Sequence, residues 1–494
     1  MKIKVLHSPI VYLNLFLFLI NPFLMYAGDH DSRMSSINQY FYNMKYDRRS
    51  LLATLTEGSN ESLPSKRLTE NGVIVCSTKK KELSADFKEI SILSPTAGKL
   101  MVGDIVRANE DLANGNPSLV SLDRSPITIS LDLPGLKEKG SMLIKNPTFS
   151  SVQAGIQSIF EDWADSSAND YKTQAKMTYT SSNIYNKFQG SAELGFNLEW
   201  ASGEISSKLD FSATSTSSRV LAMYKQVYYT VTIDKKSSPA SYFAPNVTLE
   251  DIMTNSNENN PLAIVSDIDM GKIIIVEMNT SSMDTRSNLE AALDYAANGT
   301  KVGAEMKAKF ESIIENASFK VFVLGGSSEV ATQIIANPTN LKEIIQKNAE
   351  VSKTNPGHPI AYRTLFLKDN QPATMNYTTD YNETECKQYT NGYIKLKNNA
   401  GYVANFIVSY DDGDNKVVHN FNYKTVGWST TVTNIPGDAK NLKVYSEGYD
   451  FFGIKSETFN EILSGPNNKC YVAGGTTFMH SYYKTSNIDC SPEK

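Results

Sequence analysis

The sequence predicts an α+β protein of several domains whose last domain is a β-sandwich. The chain has 494 residues, of which 40% are hydrophobic and 20% charged, so it can form a large core shared among several domains. Up to about residue 386, segments with helical spacing of apolar residues alternate with β-branched runs. From about residue 387 to the end, short alternating strands follow one another between polar turns, the pattern of a separate sandwich.

The elements follow from local patterns. An apolar stripe at helical spacing predicts a helix over 37–57, and the amphipathic stretch that begins at Val152 predicts another. The Val- and Tyr-rich run 219–233 and the run 271–281 predict strands. Another helix is expected over 339–352, before the strands of the sandwich.

The N-terminus predicts export. Lys2 and Lys4 precede an apolar run over 10–27 that ends in the small residue Ala27. This pattern is typical of a secretory signal peptide, here residues 1–27, and predicts a secreted protein. A retained membrane anchor is the alternative, although Pro22 and two asparagines interrupt the apolar run.

Charge and motif content exclude several function classes. The net charge of −5 and the pI of about 5.7 argue against nucleic acid as a partner. The sequence contains no G-x-S-x-G elbow, P-loop, Rossmann fingerprint or H-E-x-x-H pair. Asp411, Asp412 and Asp414 lack the spacing of an EF-hand loop. The sequence therefore predicts neither an enzyme nor a bound metal or cofactor.

The cysteines suit an exported protein. Cys470 and Cys490 bracket the last hairpin-like segment and form a possible disulfide. Cys76 and Cys386 lie too far apart in sequence for their pairing to be judged. Four reduced thiols are the alternative.

Residues 191–213 alternate apolar and polar side chains on both sides of Ser202 and Gly203. With those two residues as a turn, a hairpin would have one apolar and one charged face, which suits strands between lipid and water. An amphipathic element packed on a soluble protein is the alternative. The apolar face of this predicted membrane-inserting hairpin 1 consists of Ala192, Leu194, Phe196, Leu198, Trp200, Ile205, Leu209, Phe211 and Ala213.

A second segment has the same alternation about Gly299 and Thr300. Its residues also fit a helix, because Leu289, Ala292 and Leu293 are spaced as i, i+3 and i+4, and its Ala, Glu and Lys content favours helix in water. Each segment is long enough for two bilayer-spanning strands of about ten residues. The apolar face of predicted membrane-inserting hairpin 2 consists of Leu289, Ala291, Leu293, Tyr295, Val302, Ala304, Met306, Ala308 and Phe310.

Gly325 and Gly326 follow a strand-like run and are the predicted hinge. Paired glycines adopt positive φ without steric cost and allow a strand to swing away from its neighbour. A tight turn into the next helix is the alternative and is compatible with a hinge.

Motifs spread along the chain match one family. The stretches INQYFYNMKYD, ISLDLPGL, YKQVYYTV, NLEAALDYA, VFVLGG, NPGHPIAYRTLFLKDN and GYVANF stand in the family's order and spacing. From Ile37 almost to its end, the chain resembles the cholesterol-dependent cytolysins, bacterial pore-forming toxins also called thiol-activated cytolysins. The resemblance implies an elongated MACPF/CDC-type fold with a bent central antiparallel sheet flanked by helical bundles.

The resemblance also implies four domains. In the family, helical bundles of the third domain become transmembrane hairpins, and movement beyond the glycine hinge frees a sheet edge for the next subunit. The expected limits are 28–55, 86–175, 228–280 and 345–372 for a discontinuous domain 1, 56–85 and 373–386 for a linking domain 2, 176–227 and 281–344 for a pore-forming domain 3, and 387–494 for a C-terminal membrane-binding domain 4.

The last domain departs from the family's pattern. The family's Trp-rich, Cys-containing loop is replaced by residues 447–455, which contain neither residue, so the chain resembles a divergent cytolysin-like branch. The family's sterol-recognising Thr-Leu pair corresponds to Thr477 and Phe478. Core packing is the alternative for the two phenylalanines of the replaced loop. The residues expected to recognise the membrane are Tyr449, Phe451, Phe452, Thr477 and Phe478.

The resemblance implies a secreted pore-forming cytolysin that binds target-membrane lipid, forms a homo-oligomeric ring and inserts a large β-barrel. Cholesterol binding, a paralogous partner chain and proteolytic activation stay open. The alternative is a secreted binding or adhesion protein, or a partner component, that forms no pore alone.

Overall fold

The computed structural model describes residues 31–56, 65–92, 100–165, 175–196, 208, 218–280, 286–326, 328–347, 349–466 and 468–492. These residues form a central, mainly antiparallel sheet with helices on both faces and a C-terminal β-sandwich, which confirms the predicted α+β class. The α-helices in these ranges are α1 (31–43), α2 (Arg48–Leu51), α3 (Glu110–Ala113), α4 (Phe149–Asp165), α5 (Lys187–Leu194), α6 (Leu249–Asn255), α7 (Arg286–Asn298), α8 (Ala304–Glu315), α9 (Ser328–Ala336) and α10 (Leu341–Lys347).

The strands before the sandwich belong to two sheets. The linking sheet has the order β1-β13-β3-β2, and the central sheet has the path β4-β12-β10-β9-β6-β7, with β5 and β11 also paired to β10 and β8 paired to β9. These strands are β1 (Ala53–Thr56), β2 (Lys66–Thr69), β3 (Gly72–Phe87), β4 (Ile90–Ser91), β5 (Ile105–Arg107), β6 (Ile127–Leu131), β7 (Ser141–Ile144), β8 (Lys176–Asn183), β9 (Ser218–Ile233), β10 (Leu262–Thr280), β11 (Ser318–Leu324), β12 (His358–Phe366) and β13 (Met375–Thr390).

The helix expected over 37–57 is wrong in its second half. Helix α1 ends at residue 43, Asp47 caps the short α2 by accepting a hydrogen bond from the Arg49 amide, and residues 53–56 form β1. β1 pairs in parallel with β13, from Ala53 with Asn376 onward. Pairing with a distant strand therefore overrides the local helical pattern in this segment.

The long strands β9 and β10 form the middle of the central sheet, and nearly all of their residues are buried. The first half of β10 pairs with β12, and its second half pairs with β11 from Ile273 with Leu324 to Asn279 with Ser318. The β9–β10 register shifts between Met270 and Gly271, where a Cβ atom on the glycine would lie 1.9 Å from a backbone oxygen. Strand β10 thus changes its partner strand from β12 to β11 beside Gly271, where no larger residue fits.

A buried ionic cluster lies beside this point. The Asp269 carboxylate is 3.0 Å from the Lys225 ammonium and 2.9 Å from the Arg363 guanidinium, and it accepts a hydrogen bond from the Thr230 hydroxyl. Burial alone would raise the pKa of Asp269, but the hydrogen bond from Arg363 and the charge of Lys225 outweigh it and hold the pKa below its usual range. The cluster therefore joins three strands through paired charges.

Four strands of the central sheet, β8-β9-β10-β11, have helices on both faces. Leu221 and Ile275 lie on the face that contacts the α5 region, and we call this the α5 face. Ala222 and Ile274 lie on the opposite face, the α7 face, which packs against α7, α8, α9 and α10. The alternation of strand side chains assigns successive residues to opposite faces.

The C-terminal sandwich consists of two four-stranded sheets with orders β17-β14-β20-β21 and β16-β15-β18-β19. Alternating residues of both sheets, such as Leu396, Phe406 and Tyr471, form its core. The strands are β14 (Gly392–Asn398), β15 (Ala404–Asp412), β16 (Asn415–Lys424), β17 (Ser429–Ile435), β18 (Lys440–Tyr449), β19 (Lys455–Leu463), β20 (Lys469–Thr476) and β21 (Met479–Thr485).

The chain divides into two compact units, one with the central sheet and one with the sandwich. The divisions fall inside β3, after Lys79, and inside β13, after Asn382. The expected limits of domain 2 at 85 and 386 also fall inside these two strands, which run to Phe87 and Thr390. The four-domain division stays a prediction.

Candidate functional site

One end of the sandwich exposes apolar side chains on three turns. The turns 425–428, 450–454 and 477–478 connect β16 to β17, β18 to β19 and β20 to β21. All three lie near the β14–β15 connection, because Asn398 donates to the Trp428 carbonyl, Gly401 donates to the Gly475 carbonyl, and Val403 accepts from the amide of Tyr449. We call this end of the sandwich the tip.

The turn 450–454 presents two phenylalanines to solvent. Phe451 is 75% exposed and Phe452 is 80% exposed, and their rings meet edge to face at 5.7 Å. Core packing, the alternative for these two residues, is therefore wrong. Tyr449 differs from them, since its half-buried ring stacks on Tyr423 and its hydroxyl accepts a hydrogen bond from Asn405.

The turn 477–478 adds Phe478, which is 83% exposed, while Thr477 is half-buried. Gly475 has φ of 89°, and a Cβ atom there would lie 2.1 Å from the Met479 carbonyl oxygen, so this turn needs a glycine. Sequence reasoning missed further exposed apolar residues at the tip, although each occupies or adjoins a turn between alternating strands: Val426, Ile454 and Met479.

Charges beside the phenylalanine turn neutralise each other. The Lys455 ammonium lies 2.7 Å from a carboxylate oxygen of Glu447 and 5.3 Å from the centre of the Tyr449 ring. Hydrogen bonds from Lys455 and Asn405 hold the pKa of Glu447 below its usual range, and the bond to Glu447 raises the pKa of Lys455. The surroundings of the exposed phenylalanines therefore carry no net charge from this pair.

Segment 1, the chain between β8 and β9, contains predicted hairpin 1. Its described part forms α5, which Asn186 caps by accepting from the Gln189 amide at 2.8 Å and which ends at Gly195 with φ of 77°. Ala192, Leu194 and Phe196 are buried, the last two against the α5 face of the sheet. The remaining predicted residues lie outside the described part of the chain: Leu198, Trp200, Ile205, Leu209, Phe211 and Ala213.

Segment 2, the chain between β10 and β11, contains predicted hairpin 2 and forms α7 and α8 in its described part. Burial follows the helical period, as the composition favours. Leu289, Leu293 and Phe310, which both periods place on an apolar face, are buried, and Tyr295 and Val302 are half-buried. The alanines that only the strand period requires to be apolar are exposed, namely Ala291, Ala304 and Ala308, and Met306, which fits both periods, is exposed as well.

Helix α7 is held on β8 by carboxylates. Asp294 accepts hydrogen bonds from the Tyr179 hydroxyl at 2.5 Å and the Ser181 hydroxyl at 2.8 Å, and Glu290 accepts one from Asn183. At the end of α7, Gly299 has φ of 63° and donates its amide to the Tyr295 carbonyl. These polar contacts accompany the apolar interface between α7 and the sheet.

The predicted hinge lies directly after β11. Gly325 has φ of 75°, and a Cβ atom there would lie 2.6 Å from the Gly271 carbonyl oxygen. A Cβ atom on Gly326 would lie 2.5 Å from the Lys272 side chain. Gly325 therefore requires glycine in this state, since it combines a positive φ with a backbone contact, and the role of the two glycines as a hinge stays a prediction.

All four cysteines are paired. Cys470 forms a disulfide with Cys490, and Cys76 on β3 forms one with Cys386 on the neighbouring β13. The second pair spans 310 residues of sequence, which is why spacing alone did not identify it. Within the described ranges, no helix combines the length and apolar character needed to cross a bilayer.

Comparisons with known proteins agree over nearly the whole chain. Residues 36–389 match the thiol-activated cytolysin family, and residues 393–481 match the thiol-activated cytolysin beta sandwich domain. Tetanolysin of Clostridium tetani is 32% identical over 92% of this chain and 88% of its own. Ivanolysin of Listeria ivanovii is 30% identical over 91% and 88%. The crystal structure of listeriolysin O superposes with a TM-score of 0.77 at 26% identity, over 93% of this chain and 97% of that one.

The matches cover both compact units and include the central sheet, the two segments and the sandwich. The chain belongs to the thiol-activated cytolysin family and is a pore-forming toxin.

Proposed function

We propose that the chain is exported through residues 1–27, binds a target membrane through the tip, and joins other copies in a ring. Segments 1 and 2 then leave the sheet and become transmembrane hairpins. The single observation that carries this proposal is the position of both segments at the same end of β8-β9-β10-β11. The ends of these strands meet there, as the pairs Asn183 with Val220, Ser218 with Thr280, and Asn279 with Ser318 show.

Continuing the four strands past that end supports the same conclusion. Side chains alternate between the two faces along a strand. On the α5 face lie the even-numbered residues of β8 and β11 and the odd-numbered residues of β9 and of the part of β10 that pairs with β11. The predicted apolar residues continue this parity without exception: they are even in 192–200, odd in 205–213, odd in 289–295 and even in 302–310. Within these ranges, one face of a four-stranded extension is therefore apolar at every position except Ser207.

Insertion as strands is consistent with the solvent properties of lipid. Every backbone N–H and C=O group must be paired inside a bilayer, and a closed barrel of strands from many subunits achieves this. Each subunit would contribute two hairpins that extend strands already paired in the monomer. The segments' exposed polar residues would face the aqueous lumen.

Assembly requires a free sheet edge. In the monomer, β11 occupies one edge of β10 through the pairs from Ile273–Leu324 to Asn279–Ser318. Helix α9 follows the two glycines and packs against β11, so its movement about Gly325 and Gly326 would free the outer edge of β11 for a strand of the next copy. At the turn where the family recognises sterol, Thr477 is retained and Phe478 replaces the family's leucine.

A reversible cross-link tests the conversion. Ala222 on β9 and Ala292 on α7 are both fully buried in the same apolar cluster, so an A222C/A292C disulfide would keep segment 2 on the α7 face. We expect the oxidised double variant to bind membranes normally and release no dye from loaded vesicles or target cells, with release restored by a reductant. The two single-cysteine variants and the wild type, treated identically, are the matched controls.

Undiminished leakage from the oxidised, fully cross-linked variant would contradict the proposal. The same assay separates the alternative function, a component that forms no pore alone. In that case the purified wild type would bind without releasing dye until a second protein is added.

A further inference from the structure

The phenylalanine turn at the tip contains its own support. A single carboxylate oxygen of Asp450 accepts hydrogen bonds from the amide of Phe452 at 2.8 Å and from the amide of Ile454 at 2.7 Å. The Asp450 amide donates to the Ile454 carbonyl, and the Gly453 amide donates to the Asp450 carbonyl. Gly453 has φ of 78°, which glycine adopts without strain. The turn therefore has a defined shape before it meets any partner.

The shape is a projection and not a pocket. Phe451 and Phe452 point outward edge to face, and Ile454 beside them is 65% exposed. Ser456, two residues after the turn, hydrogen-bonds through its hydroxyl to the His480 ring at 3.1 Å, which connects this turn to the one that carries Phe478. The two turns thus form one convex apolar surface, here called the wedge, consisting of Phe451, Phe452, Ile454, Phe478 and Met479.

A convex apolar surface fits the hydrocarbon boundary of a bilayer better than a single small molecule. Phe478 replaces the leucine of the family's sterol-recognising pair, and the wedge side chains end in carbon or sulfur atoms, so none of them supplies a hydrogen-bonding group for a sterol hydroxyl. Aromatic rings are favoured at the membrane interface. Lys455 pairs with Glu447, so this lysine adds no unpaired positive charge beside the wedge to attract anionic headgroups.

From this geometry we infer that Asp450 is the positioning residue of the wedge and that its ligand is the phospholipid bilayer itself, without a requirement for sterol. The inference rests on the proposed function, in which the tip binds the membrane. Removing the carboxylate leaves the Phe452 and Ile454 amides without their acceptor, so the turn samples many shapes. Binding must then restrict two aromatic side chains, which costs affinity.

Vesicle binding by the full chain tests the inference. The vesicles are pure phosphatidylcholine and phosphatidylcholine with cholesterol, and the variants are Asp450→Ala, Asp450→Asn and Asp489→Ala. Asp489 is the matched control, because its carboxylate accepts from the Ser491 amide at 3.0 Å in a similar turn beside the Cys470–Cys490 disulfide. A fluorophore attached to a Phe451→Cys variant, quenched by brominated acyl chains, measures entry of the wedge into hydrocarbon without a signal from the native Trp200 and Trp428.

We expect wild type to bind both vesicle types equally, within about two-fold. Asp450→Ala should weaken binding to both about ten-fold and reduce quenching of the reporter fluorescence, with the thermal unfolding temperature unchanged. Asp450→Asn should bind like wild type, because its amide oxygen accepts the same two hydrogen bonds. Asp489→Ala should also bind like wild type.

Four results would overturn the inference: normal binding by Asp450→Ala, weak binding by Asp450→Asn, wild-type binding that requires cholesterol, or no binding to either vesicle, which would indicate a protein or glycan receptor. The proposed function is judged separately. Suppose that wild type releases dye only from cholesterol-containing vesicles or from cells, and that the oxidised A222C/A292C variant abolishes this release. The proposed pore mechanism would then stand, and the inference of sterol-independent binding would fail.

Discussion

Replacing Ala291 with lysine should separate the two states of segment 2. In the monomer, Ala291 is exposed on α7, so a lysine there changes the free energy of unfolding by less than about 0.5 kcal/mol. In an inserted hairpin, the same residue lies on the apolar face that continues the α5 face of the sheet. A lysine on the lipid face of a transmembrane strand costs about 2–4 kcal/mol near the bilayer midplane.

This cost applies to every subunit of a ring. For one subunit it corresponds to a factor of about 30–900 against insertion, and the factors multiply as subunits insert together. Membrane binding and ring assembly should be normal, because neither step requires residue 291 to leave water. Dye release should be abolished.

The neighbouring residue provides the opposite control. Ala292 is fully buried against the sheet in the monomer, but the strand period places it on the lumen face of the hairpin. Ala292→Lys buries an unpaired ammonium and should destabilise the monomer by several kcal/mol. Circular dichroism melts, vesicle flotation and dye release on both variants complete the comparison. Normal leakage by Ala291→Lys would refute the assignment of residue 291 to the lipid face.

Three further predictions concern the ionic cluster around Asp269, the Cys470–Cys490 disulfide and the tip. Asp269→Asn should destabilise the protein by about 3 kcal/mol in chemical unfolding, because it removes a charge partner of the buried Lys225. The pKa of Asp269 is lowered in the folded state, so its contribution to the free energy of unfolding is fully present above the unfolded pKa of about 3.9 and is lost as the pH falls. Below pH 4, the stability of Asp269→Asn should therefore change less with pH than that of wild type. A C470S/C490S variant should lose about 3 kcal/mol, as expected for a closed loop of this size, measured by thermal unfolding, and an unchanged melting temperature would contradict this. Phe478→Ala should weaken vesicle binding about ten-fold, and equal binding would exclude this turn from the membrane contact.

The sequence predicted most of the fold because the strand and helix patterns are long. The run 219–233 lies on β9, which is buried on both faces, and the alternation after residue 387 lies in the sandwich, where burial alternates along strands such as β14. The helix over 37–57 failed because a short stretch of it pairs with a strand more than 300 residues away, which no local period encodes. The Cys76–Cys386 pair was missed for the same reason.

The sequence identified the apolar residues of segments 1 and 2 but could not decide whether they form helices or strands. A period of 2 and a period of 3.6 both fit short runs such as 289–296, so the sequence cannot say which one a given environment selects. The structure shows that positions where the two periods conflict are mostly alanines, including Ala291, Ala304 and Ala308. Alanine is tolerated on an exposed helix and in lipid alike, which reconciles both periods. The exposure of Phe451 and Phe452 needed the turn geometry set by Asp450.

The ladder between β10 and β11 also determines how an inserted hairpin would be aligned. Extending its register from Ile273–Leu324 and Asn279–Ser318 pairs Leu293 with Ala304 and places Asn298 and Gly299 at the turn. That turn lies one residue before the one expected from alternation alone, and Asn-Gly is the preferred pair for a two-residue hairpin. Gly299 already has a positive φ where it ends α7, as the second residue of such a turn requires, whereas Asn298 is the last residue of the helix and must change its backbone conformation. If segment 2 inserts as proposed, the register of β10 with β11 would therefore align its two strands before the helices have unwound.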